Sequence, residues 1–144
     1  MWEKFQKLVK TRSKSDYEDI MQYLYQFMQT WPIIQKLQLE QRFNLKLEDL
    51  AYFNVLKCKC NKGSNISKAL YTHCLQKTTL IQLDILQPKV ILCLGKAPYE
   101  LLANSKWNKI TIWIIHPSGG EWRHPVEKVQ ERIHFAREFI KKNT

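Results

Sequence analysis

Glycine is scarce in this chain, with four among 144 residues (Gly63, Gly95, Gly119 and Gly120) and none in the first fifty. No low-complexity tract or internal repeat is visible. Cysteine is equally sparse. Cys58, Cys60, Cys74 and Cys93 are too few for a disulfide scaffold, which points to an intracellular, reducing, cytoplasmic location. No run reaches the roughly 18 apolar residues of a transmembrane helix. Residues 1–5, MWEKF, lack the apolar stretch of a secretory signal. No membrane association is expected. Acid is the minority charge, with 13 Asp and Glu against 23 Lys and Arg, a net charge of +10.

That excess favours polyanionic partners, because each neutralised phosphate releases condensed counterions. The same lysines also serve solubility, and they are scattered rather than gathered into a basic tail. The 44% hydrophobic and 25% charged fractions are those of a globular chain with enough apolar surface for one core.

The first fifty residues have helical periodicity. Tyr17, Ile20, Met21, Leu24, Phe27 and Met28 recur on one face of a helix and predict core packing. Ser15 or Asp16 is the expected cap. Trp2, Phe5, Leu8 and Val9 form a shorter stripe before it, and Pro32 suits the first turn of a further segment carrying Ile33, Ile34 and Leu37. Beyond residue 50 the pattern alternates between strand and helix. Residues 52–56 are a short apolar run. Residues 66–86 are helical, with Ile66, Leu70, Cys74, Ile81, Ile85 and Leu86 as burial candidates, and Pro88 stops the helix. Residues 90–94 make an apolar strand ending at Gly95, residues 97–103 a short helix, residues 110–115 a second apolar strand, and Pro125 opens a last helix. This order predicts an α/β fold, a parallel sheet flanked by helices behind a helical N-terminal third. One domain is expected, with residues 1–50 as its helical region and 51–144 as its α/β core. In such sheets the ligand lies at the carboxyl ends of the strands, here residues 54–58, Gly95-Lys96 and His116-Pro117-Ser118.

Those strand ends carry motifs. Phe53-Asn54-Val55-Leu56-Lys57-Cys58, with Cys74 sixteen residues later, Leu86-Gln87-Pro88-Lys89 leading into Leu94-Gly95-Lys96-Ala97, and Ile115-His116-Pro117-Ser118 before Arg123-His124-Pro125 follow one another in order. Over about residues 50–142 they resemble the uracil-DNA glycosylases, in particular the iron–sulfur type. The resemblance implies the three-layer fold of that superfamily and a role in DNA repair, by hydrolysis of the N-glycosidic bond of a uracil flipped from single- or double-stranded DNA. It implies that Asn54 reads the base, offering a donor and an acceptor side by side. It makes His116 the catalytic residue, whose imidazole N–H stabilises charge developing on the departing uracil. Gly95 and Lys96 at a helix start, Ser118 and Arg123 would hold the DNA backbone, and Trp122 or Arg123 would wedge into the space the base leaves.

The chain also departs from the family. The Gly-rich opening motif that precedes the water-positioning residue is absent, since no glycine lies in the first fifty positions. A substitute carboxylate would be Glu48 or Asp49, or would lie upstream of Met1. Only Cys58 and Cys74 match the four family cysteines, so no metal or cofactor is expected. The alternative is a catalytically inactive pseudo-glycosylase acting as a DNA- or protein-binding module. In either case the missing first strand would expose a sheet edge, to be covered by the N-terminal helices or by a protein partner.

Overall fold

The computed structural model describes Gln6 and residues 13–54, 67–117 and 120–144. By compactness the chain divides into two units, Met1–Leu50 and Ala51–Thr144.

The first unit is helical. Helix α1, Lys14–Gln29, starts one residue after Ser13, whose hydroxyl accepts the Asp16 N–H at 3.5 Å. The cap is therefore Ser13, not Ser15 or Asp16. All three can cap, and the helix begins where the backbone first turns helical. Pro32 occupies the first turn of α2, Pro32–Leu37. Gln38 and Asn44, both left-handed (φ 48° and 55°), bracket α3, Leu39–Phe43. Of the apolar stripe expected on α1, only Ile20 is buried; Tyr17 and Phe27 are about half exposed. The stripe of Trp2, Phe5, Leu8 and Val9 lies outside the described residues.

The second unit is mixed α/β. Ser67 caps α4, Lys68–Cys74, by accepting the Leu70 N–H at 3.2 Å. A π-helical turn, Leu75–Thr79, joins it to α5, Leu80–Leu86, and left-handed Gln87 ends the run just before Pro88. The π turn inserts one residue into the helical repeat and rotates everything after it by about one position. Cys74, as expected, is buried with Leu75, Thr79 and Leu83, whereas Ile81, Ile85 and Leu86, also expected in the core, face outward. Ile66 lies outside the described residues.

Strand β1, Ile91–Leu94, pairs in parallel with β2, Thr111–Ile114, Cys93 standing opposite Trp113. Helix α6, Lys96–Leu102, forms the crossover and contacts both strands, and α7, Val126–Asn143, packs on β2. Side chains alternate across a strand. Cys93 therefore joins Leu75, Leu83, Leu102 and Trp107 in one buried cluster, with Ile91 and Trp113 against it. β2 is the more deeply buried strand, with Thr111, Ile112 and Ile114 no more than 5% exposed. Residues 51–54 form no strand, and among the described residues the sheet has two strands. Phe53 is instead drawn onto the cluster around Trp107 as a packing residue.

The outer edge of β2 is covered from α7. Ile114 C=O is directed at β1, where it accepts the Gly95 N–H at 2.9 Å, so the preceding carbonyl, of Trp113, points away. Arg132 Nη2 donates to that carbonyl at 2.8 Å. The guanidinium carbon lies 4.1 Å from the centre of the Trp113 ring and 5.5 Å from that of Phe135. Stacking and charge-assisted hydrogen bonding thus occupy backbone that could otherwise recruit another strand.

Candidate functional site

The two parallel strands finish side by side, and the residues just beyond them meet. Gly95 follows β1 directly with φ 99° and ψ 163°, a conformation that L side chains rarely adopt. A Cβ built on it would stand 3.9 Å from the Cβ of His116, two residues past the end of β2. Sequence spacing alone could not bring positions 95 and 116 together. The paired register of β1 and β2 does.

The His116 backbone is held from its other side. Its carbonyl accepts the Gly120 N–H at 2.9 Å, closing a one-turn loop. Pro117 within that loop is buried, as is Ile115 just before His116, and the His116 side chain is half-buried. Gly120 is the residue that closes the turn. A glycine four positions after the histidine, spanning an i to i+4 bond, was the available signal. Ser118 and Gly119 themselves lie outside the described residues.

The remaining candidates are more dispersed. Lys96 is exposed at the start of α6, and its ammonium is 3.3 Å from Glu100 one turn on, a solvent-facing pair worth little in stability. Arg123 is exposed on the 3-10 turn Glu121–Arg123, ahead of α7. Asn54 is exposed at the end of the irregular segment 51–54. The expected juxtaposition of three strand ends is thus found for two of them, at Gly95 and His116.

The substitute carboxylates belong to the first unit. Asp49 accepts the Lys46 N–H at 2.9 Å and so caps its own turn. Glu48 lines a shallow open groove along α1 with Tyr17, Met21, Tyr25 and Gln29. Among the described residues no three His, Cys, Asp or Glu side chains cluster as metal ligands. Cys58 and Cys60 lie outside the described residues. Cys74 and Cys93 are both buried, and desolvation pushes the Cys93 thiol up to about 12. At neutral pH it is a packing group rather than a thiolate.

No helix among the described residues is long and apolar enough to cross a membrane. Compared with known proteins, the chain matches no family model, no curated protein and no solved structure.

Proposed function

We propose that this chain is a uracil-DNA glycosylase-like domain that binds DNA and acts weakly on the N-glycosidic bond of a flipped uracil. The observation that supports this reading most is the position of His116, beside Gly95, where two parallel strands end. The carboxyl ends of parallel strands are where α/β sheets place their ligands, and the +10 charge suits a phosphate-bearing one. In this reading His116 donates a hydrogen bond to the uracil oxygen on which charge develops. Asn54 pairs with the base edge, and Gly95, Lys96, Ser118 and Arg123 engage the backbone. Oxyanion-type donation contributes about 10²–10³-fold in rate. The general-base contribution of about 10²–10⁴-fold is the part for which the chain has no matching residue, hence the weak chemical step.

The second reading, a pseudo-glycosylase that binds without turnover, draws on two observations. Asp49 is engaged in capping its own turn, and Asn54 sits on an exposed, irregular segment.

Single-turnover cleavage of a labelled uracil oligonucleotide, followed by alkaline treatment, separates the two. Slow uracil release that drops about 10²–10³-fold in His116→Ala, with DNA affinity falling steeply as salt rises, supports the enzyme. No release, with uracil-selective binding lost in Asn54→Ala, supports the binding module. Turnover unchanged by both substitutions, or no DNA binding at low salt, removes the site assignment.

A further inference from the structure

We infer that Gly120 is a positioning residue for His116, setting the place of the histidine backbone by the absence of a side chain. The two glycines near His116 act for different reasons. At Gly95 there is room for a Cβ, whose nearest contact would be an ordinary 3.9 Å, and the backbone angle is what demands glycine. At Gly120 the angle is unremarkable, φ −109°, and space is what demands glycine. A Cβ there would meet the His116 carbonyl oxygen at 3.0 Å, Ile115 Cγ2 at 3.0 Å and the His116 nitrogen at 3.3 Å.

Two of those three atoms are backbone of the histidine itself, and the third belongs to a buried isoleucine that is only 5% exposed. Close-packed interiors transmit such an intrusion rather than absorb it. Ile115 cannot swing into solvent, so the added methyl displaces His116. The 2.9 Å bond from the Gly120 N–H to the His116 carbonyl couples the two residues further, because any shift that relieves the clash also bends or breaks that bond. The catalytic meaning of this coupling rests on the role proposed for His116; the coupling itself is a property of the fold.

Two measurements test it, neither of which needs DNA. In the wild-type protein the Gly120 amide should exchange with solvent at least about tenfold more slowly than in an unstructured peptide, as for a closed local hydrogen bond. In Gly120→Ala, with circular dichroism confirming the fold, the His116 imidazole resonances should move while those of His73 and His134, on α4 and α7, stay in place. A Gly120 amide that exchanges freely overturns the inference, as do unchanged His116 resonances in the folded variant. If Gly120→Ala does not fold, the wild-type exchange rate decides alone. Failure here alongside intact, His116-dependent uracil release would leave the proposed function standing, and passing here without DNA binding would leave the turn without that function.

Discussion

Helices α1 and α7 carry similar apolar side chains but bury them very differently. Helix α1 presents a six-residue stripe of regular helical spacing and buries one of its members, Ile20. Helix α7, of similar length, buries Val129, Ile133, Ala136 and Ile140, an unbroken i, i+4, i+7, i+11 series. α7 lies on β2, whose Ile112 and Ile114 share one face of the strand and are both buried. Periodicity therefore states which side chains share a face. Whether that face is buried depends on an opposing surface of matching extent.

The largest expected effect lies where burial is complete. Ile114, 1% exposed at the end of β2, precedes the Ile115–Pro117 segment that carries His116. Truncation to alanine removes buried methyl groups and leaves a cavity, costing about 2–5 kcal/mol. Urea denaturation of Ile114→Ala should show a midpoint lowered accordingly with little change in slope. A loss below 1 kcal/mol would mean that the strand under α7 is packed no better than the surroundings of α1, and the contrast between the two helices would disappear.

Much of the second unit was legible from its residues, and the exceptions share physical causes. The strands at 91–94 and 111–114 and the long helix after Pro125 were clear because apolar runs and proline act locally. Gly95 and His116 were each singled out by neighbouring residues, and the strand pairing joins them. The outward turn of Ile81 and Ile85 was not legible, because a π turn leaves no periodic trace and shifts the helix phase by a residue. Nor was Arg132, whose partners are a carbonyl and two rings, since a cation beside an acid, here Glu131, reads as surface. Phe53 looked like strand and is a packing residue, because an apolar run does not specify whether its backbone will find a ladder. Asn54 follows from the same ambiguity.

A second effect concerns pH. Burial raises the Cys93 thiol from 9.0 to about 12, so between those values the unfolded chain ionises while the folded one keeps its proton. The unfolded state then binds fewer protons, and stability falls as pH rises through that window, by up to about 1.4 kcal/mol per pH unit from this group. The comparison to make is wild type against Cys93→Ala, since every other ionisable group is common to both. The wild-type advantage should be greatest below pH 9 and shrink between pH 9 and 11. A constant difference would show that Cys93 is solvated enough to ionise in the folded state. Slow alkylation of Cys93 by iodoacetamide in the native protein, accelerated in urea, is the corresponding kinetic expectation.

The smallest expected effect tests the first unit at its most aromatic point. Phe27 is 47% exposed on α1 and meets Trp31 edge-to-face, with ring centroids 5.9 Å apart and planes at 83°. Removing the ring forfeits that pairing, worth about 0.5–1.5 kcal/mol, together with the burial of half a side chain. Alanine returns up to about 0.5 kcal/mol through its better helix propensity, and no sealed cavity is left behind. The net loss in Phe27→Ala should therefore stay within about 1 kcal/mol, against a loss of several for Ile20→Ala in the same helix, where the side chain is 3% exposed. Urea denaturation followed by circular dichroism at 222 nm measures both. If Phe27→Ala costs as much as Ile20→Ala, the outer face of α1 is covered in solution. The difference between α1 and α7 would then come from a further surface laid over α1 rather than from the helix itself.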